Sequence, residues 1–458
     1  MDKSSPPPYC FTWLAASLVT ALAAALAQVG GDARWLAALG AEIVKRGHIP
    51  DGVPYAALPS SGWPNVPVLS ELAFDGLESA LGDRGLVLAQ ATAAGACLAL
   101  VALGMRAAGA ADLPSALVLF LVALGAAPAL VIARVQLFSL VLFPLLVLLV
   151  RAEARSPSRR VWLLVPLIAL WSSLHGAVLV GLAVAGSYLA LHRLRWRPAS
   201  ALLALAATVA APLATPALER TPCYYLGVLG SEAALRGEGL WAPLSLGKPL
   251  DVLFIVVAVP IVASAILSRP APWELVALLG LAAGAAHTAR NGVWLLLFAA
   301  APAARCLTGT RAWRLVPPPP ARYAAALTFA AALVIAGLRT PDGGVAGRLL
   351  RDAAAKAAGT DPILADPLDA EALALDGRRI LIGNPLDAFP RREQRLYLDW
   401  ASGRASGDVL LARARAVLVS SSERAQERLT LHARFREAGR DAHAVLYVRR
   451  SRGRRPPE

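Results

Sequence analysis

The sequence predicts a polytopic α-helical membrane protein with a large first outer loop and a small α/β domain at its C-terminal end. Three observations predict it. Hydrophobic residues make up 57% of the chain, above the roughly 45–50% usual for soluble domains. Apolar windows recur at the ~17–25 residues that cross a bilayer as a helix. Beyond Leu338 the composition turns charged and mixed, and short apolar runs alternate with amphipathic helical ones, the pattern of an α/β domain.

Taken in order, the apolar runs place about eleven spans, at 11–29, 86–104, 114–132, 136–150, 161–174, 176–191, 199–215, 250–267, 272–287, 292–306 and 323–338. The short ones require tilt or local thinning of the bilayer. The first also has the make-up of a signal peptide; we read it as a retained anchor, because cleavage would leave the topology one span short. The pair around His175 and the pair around Arg290 each read equally as one kinked element. Two domains follow, a membrane domain over 1–338, with its first outer loop at 30–84, and an extracytoplasmic domain over 339–458.

Basic residues orient the spans by the positive-inside rule. The inner loops hold Lys3, Arg106, Arg151, Arg155, Arg159, Arg160, Arg193, Arg195, Arg197, Arg269, Arg305, Arg311, Arg314 and Arg322, whereas the short outer connections hold only Arg134 and Arg290. This puts the N-terminus inside the cytoplasmic membrane and the 30–84, 216–249 and C-terminal regions outside. Pro317–Pro320 forms an extended linker before the last span. In the C-terminal domain, 363–366, 379–383, 416–420 and 444–448 read as strands, and 369–375, 390–402 and 423–438 as helices. The arginine-rich tail from Arg449 is solvated.

The net charge of +14 follows from this loop asymmetry, and no nucleic-acid-binding motif accompanies it. The four cysteines, Cys10, Cys97, Cys223 and Cys306, lack disulfide-framework and metal-ligand spacing, and only Cys223 falls in an outer loop. Internal repeats, Gly-rich phosphate loops, HExxH pairs and Gly-x-Ser-x-Gly elbows are missing.

Candidate chemistry concentrates at the outer ends of the spans. Asp32, just beyond the first span, is a candidate base that a lipid-borne substrate can reach; it equally suits the N-cap of a helix over 33–46. Arg134, beside Gln136, interrupts an apolar run. A guanidinium there suits a phosphate, or it snorkels to the headgroups. His175, before Gly176, can bond a substrate or serve packing alone. Arg290 and Asn291, after His287, form a second polar island that suits an anion or merely joins two spans. Asp51, Trp63, Asn65 and Glu71 can position a sugar, since carboxylates and amides bind hydroxyls and aromatic faces cover rings. The same residues also suit an interfacial loop, and Asp51-Gly52 and Trp63-Pro64-Asn65 are turn formers.

Several of these residues carry a resemblance. Asp32-Ala-Arg-Trp35, Gly40, Ile43, Gly47-His48-Ile49-Pro50-Asp51, Gly62-Trp63, Asn65, Leu69 and Glu71-Leu72 resemble the first outer loop of the GT-C superfamily. Within it, the chain is similar to bacterial relatives of the dolichyl-phosphate-mannose mannosyltransferases. Leu170-Trp171-Ser172-Ser173-Leu174-His175-Gly176, with Gly181, is similar to their Leu-Trp-x-Asn-x-His-Gly signature, and Arg290-Asn291 to their Arg-Asn pair. Three places depart from the pattern. Val66-Pro67-Val68 replaces a His-Glu-Trp-type cluster, Ser173 stands for the Asn, and Gly383-Asn384-Pro385 replaces an Asp-Gly-Arg.

The resemblance implies an integral membrane glycosyltransferase that moves a sugar from a polyprenyl-phosphate donor to a glycan, lipid or protein acceptor of the envelope. It implies Asp32 as the base and, in some branches, a divalent cation. Two other functions remain open: a non-catalytic scaffold for envelope glycan synthesis and a lipid-linked glycan transporter.

Overall fold

The computed structural model describes residues 10–309, 322–339, 341, 343–420, 424–430 and 432–450. Lys3, Arg311, Arg314, the Pro317–Pro320 linker and residues 451–458 of the tail lie outside them. The described residues fall into two compact units. One comprises Met1–Val29, Ala80–Thr221 and Gly237–Pro341, and the other Gly30–Ser79, Pro222–Arg236 and Asp342–Glu458.

In the first unit a helix overlaps every expected span, from α1 (Cys10–Leu26) to Arg322–Leu338. Among the described residues five helices are long and apolar enough to cross a membrane, or six if one bent pair is a single span. The ends of α1 are satisfied by distant residues, as orphan helix-terminal groups require. The Asp112 carboxylate accepts from the backbone N–H groups of Cys10, Phe11 and Thr12 at 2.8, 2.8 and 2.9 Å. At the other end the Arg339 guanidinium donates to the carbonyls of Ala24 and Ala27.

The structure differs from expectation at two places here. The 114–132 span is a helix over Asp112–Gly125, a five-residue helix over Ala127–Val131 and a strand, β2 (Ile132–Ala133). That strand pairs in parallel with β1 (Gln28–Val29). A two-residue strand has no periodicity to read. Arg151 and Arg193, counted as inner-loop charges, are buried in ion pairs with Glu274 at 2.9 Å and Glu153 at 2.6 Å. Burial of a guanidinium demands such a partner, so these two arginines tie helices together.

The second unit is built on α2 (Ala33–Arg46) and α3 (Val68–Leu81). Leu36, Leu39, Gly40 and Ile43 form the buried stripe of α2. Gly47 then ends the helix in the left-handed region at φ 71, where glycine carries no steric penalty. Gly40 sets the packing distance, because a Cβ there would lie 2.2 Å from the Glu71 carbonyl oxygen and 2.7 Å from Asp75 Cβ. The 30–84 stretch is therefore more helical than a turn-rich loop.

The C-terminal part of this unit is an α/β layer. Strands β3 (Ile363–Ala365), β4 (Ala416–Ser420), β5 (Phe435–Arg440) and β6 (Ala444–Arg449) run in the order β3-β4-β6-β5. Only the β3–β4 pair is parallel. The expected strand 379–383 is a single bridging residue, Ile380, which pairs with both Ile363 and Ala56. Those bridges stitch the first loop to the C-terminal segment, with Ala57 N–H on the Ile380 carbonyl at 2.8 Å and Ile380 N–H on that of Tyr55 at 3.0 Å. The expected helix 423–438 is a helix only over Arg424–Thr430, after which the chain becomes β5. Phe-Arg-Glu-Ala-Gly-Arg is permissive of helix, and pairing with β6 overrides that preference.

Candidate functional site

Asp32 directly precedes α2, with its backbone in the left-handed region at φ 81. It occupies the N-cap position, yet its side chain makes no capping bond. Its Oδ1 instead accepts from the Trp35 indole N–H at 3.3 Å. Its backbone N–H points at the Glu371 carboxylate, 3.1 Å from each oxygen. Glu371 comes from the helix Pro367–Leu375 and is itself held by Asn384 Nδ2 at 2.7 Å. Burial, then the nearby Asp32 carboxylate, pushes the Glu371 carboxyl above its ordinary value.

Further acids crowd the same unit. Glu71 is fully buried, accepts from Asn65 Nδ2 at 2.8 Å, and is pushed up to about 8 by burial. Burial, then the charges of Glu71 and Glu371, holds the Tyr55 phenol well above its usual range. Of the loop residues expected to bind sugar, Asn65 and Glu71 therefore join each other inside the unit. Asp51 accepts the Gly62 N–H at 2.7 Å and fixes a turn. Trp63 donates its indole N–H to Asp387 at 2.8 Å and lines a cavity of about 370 Å³ with Tyr224 and Phe389.

In the first unit, His175 sits between the helices Leu164–Ser172 and Val178–Tyr188, with Nδ1 2.6 Å from Ser139 Oγ. The same oxygen accepts from the Trp171 indole at 2.7 Å. Indole donates only, so Ser139 Oγ is the acceptor toward Trp171, and its bond with Nδ1 fixes the orientation of the imidazole ring. Trp171 in turn lies against Gly181, where a Cβ would meet the indole at 2.4 Å. These contacts account for Trp, His and the later Gly of the signature. Ser173 is buried.

Arg134 lies in the turn between β2 and the helix Gln136–Arg155, a position where backbone N–H groups and a guanidinium together favour an anion. Arg290 is stacked on Trp241, with its guanidinium carbon 3.7 Å from the ring centroid, the planar contact that arginine makes and lysine does not. Asn291 donates to the Gly284 carbonyl at 3.3 Å and so serves the end of the preceding helix.

Glu371, Asn384, Asp387 and Ser139 were not singled out from the sequence. Glu371 had a readable signal, a lone acid in the apolar run Ala370-Glu371-Ala372-Leu373. Asn384 donates to Glu371 at 2.7 Å, a contact across 13 residues that no local pattern marks. Among the described residues no three His, Cys, Asp or Glu side chains are disposed to hold a metal ion.

No protein-family model matches the chain, and no curated protein is similar to it in sequence. Solved structures are similar in fold. ArnT from Cupriavidus metallidurans, crystallised in the apo state, matches with a TM-score of 0.54 at 13% identity, over 94% of this chain and 95% of that one. The crystal structure of ArnT bound to undecaprenyl phosphate matches at 0.55 and 13% identity, over 97% and 98%. The chain thus shares the fold of ArnT, and the likeness does not single out a mannosyltransferase branch.

Proposed function

We propose that the protein is a membrane glycosyltransferase that transfers a sugar from a polyprenyl phosphate to an envelope acceptor. The observation that carries this reading is the end-to-end likeness to a structure crystallised with undecaprenyl phosphate. Asp32 adds to it, since its carboxylate is not used as a helix cap.

In the proposed reaction the Asp32 carboxylate accepts the proton of an acceptor hydroxyl as that oxygen attacks the anomeric carbon. The bond from the anomeric carbon to the phosphate oxygen breaks, and the polyprenyl phosphate leaves with the electron pair. Arg134 and Arg290 are the proposed partners of the phosphate, through charge-assisted bonds that strengthen when desolvated. His175, oriented by Ser139, is proposed to donate from Nε2 to a substrate oxygen. The N-terminus is proposed to lie inside the cytoplasmic membrane and the 30–84, 216–249 and C-terminal regions outside it. Sugar transfer is then measured in membranes carrying Asp32→Asn and Asp32→Ala. Loss of a general base is expected to slow transfer about 10²–10⁴-fold. Undiminished transfer by variants of normal stability removes Asp32 from the mechanism.

A scaffold role is the second reading. It is favoured by Val66 and Val68, which are buried apolar residues where the pattern that the chain resembles has a His-Glu-Trp-type cluster. It predicts that Asp32→Ala leaves function intact.

A further inference from the structure

The cavity beside Trp63 is set apart by its lining. It holds about 370 Å³ and is bordered by Ser61, Trp63, Cys223, Tyr224, Asp387 and Phe389 among others. That volume falls near the lower end of the ~300–1,000 Å³ of small-molecule sites, enough for a single ring with its linkage and too small for a long chain. All of these residues belong to the second unit.

Three features fix its chemistry. First, the Trp63 indole is locked by its N–H bond to Asp387 Oδ2 at 2.8 Å and by Tyr224, whose ring centroid lies 6.2 Å away at 58°. Its face is thus held still. Second, Asp387 is a half-buried carboxylate with an indole on one oxygen, and a carboxylate has about four lone-pair sites, so it can accept further hydroxyl hydrogens. Burial holds its carboxyl up at about 6, so at neutral pH it is mainly ionised and acts as an acceptor. Third, Phe389 and Pro390 add apolar lining. A flat C–H face beside a group of paired hydroxyls is the shape and polarity of a pyranose. A lipid tail would offer nothing to the remaining lone pairs of the carboxylate, which the hydroxyls of a sugar ring can fill.

Building on the glycosyltransferase reading, we infer that this cavity is a saccharide subsite. Trp63 and Tyr224 cover the apolar face of an uncharged hexopyranose residue of the acceptor, and Asp387 accepts two of its hydroxyls. The subsite selects the acceptor and takes no part in bond breaking.

Cys223 supplies a reporter. It lines the cavity and is exposed, while Cys10 and Cys97 are buried. The full chain in detergent is alkylated with a water-soluble maleimide, and labelling of Cys223 is followed by peptide mass spectrometry. The probes are methyl glucopyranoside, methyl galactopyranoside and methyl mannopyranoside, with sorbitol and choline chloride as controls. At about 50 mM, against a Kd on the order of 10 mM typical of weak single-ring binding, at least one glycoside slows labelling about fivefold. Sorbitol and choline leave it unchanged.

Asp387→Asn and Trp63→Ala each abolish the protection while Cys223 in the sugar-free protein reacts within about twofold of the parent rate, the sign of an intact fold. Absence of protection by every glycoside overturns the inference. So does equal protection by choline, which marks a cation site, or protection that survives in both variants. No donor lipid is present and no transfer is read. A failure of Asp32 as base therefore leaves this result standing, and the reverse holds too.

Discussion

Removing the Glu371 carboxylate tests whether the C-terminal segment controls Asp32. Asp32 is a non-glycine residue at φ 81, a conformation that costs roughly 1–2 kcal/mol. Its backbone N–H lies between two carboxylate oxygens, 3.1 Å from each. Above about pH 7, where the Glu371 carboxyl is ionised, a hydrogen bond to it contributes about 1.5–3 kcal/mol, enough to hold the residue in that region. Glu371→Ala deletes both acceptors and also strands Asn384 Nδ2. If the lost energy falls on the placement of Asp32 in the transition state, kcat drops about ten- to a hundredfold at 1.36 kcal/mol per decade. The KM for the lipid donor is unchanged. Glu371→Gln keeps one carbonyl oxygen and loses about tenfold. The assay is steady-state sugar transfer in proteoliposomes, with thermal unfolding of each variant measured alongside. In Asp32→Asn/Glu371→Ala the second change adds nothing, because residues that act as a unit are non-additive. A folded Glu371→Ala enzyme with the parental kcat, or fully additive losses in the double variant, refutes the reasoning.

Two further outcomes follow from the packing of the second unit. Glu71 holds its proton up to about 8 in the folded chain, so its contribution to stability is greatest below its ordinary 4.5 and falls as pH rises to about 8. The full loss is at most roughly 5 kcal/mol at 1.36 kcal/mol per pH unit. Glu71→Gln, which keeps an acceptor for Asn65, should flatten the decline of the melting temperature between pH 5 and 9; an equally steep curve in the variant counts against the buried acid. Gly40→Ala puts a methyl 2.2 Å from the Glu71 carbonyl oxygen. Overpacking of about 1–3 kcal/mol lowers the melting temperature by roughly 3–10 °C, and an unchanged melting curve shows that α2 and α3 can separate without penalty.

The apolar runs were legible because a membrane helix repeats its signal over many residues, and a helix stands at each of them. Asp32 was legible from its place at the end of the first run, and His175 and Arg290 from the rarity of polar residues there. The partners were not. Glu371 meets Asp32 across 339 residues of chain, and Asp387 meets Trp63 across 324, distances at which local periodicity carries no information. Strand β5 was misread for a related reason: residues 435–440 adopt an extended form only because Ala444–Arg449 lies alongside. Asn65 and Glu71 have side chains suited to binding a sugar. Their burial as a mutual pair depends on the approach of two helices, which Gly40 permits and no motif announces.

The long separation between Asp32 and Glu371 also sets an order of biogenesis. Asp32 is made 339 residues before Glu371, whose carboxylate holds its backbone N–H. Until synthesis has passed Asn384, the nascent polypeptide has its bilayer segments but only a half-assembled acid centre. A product terminated before Glu371 therefore lacks both acceptors of the Asp32 N–H.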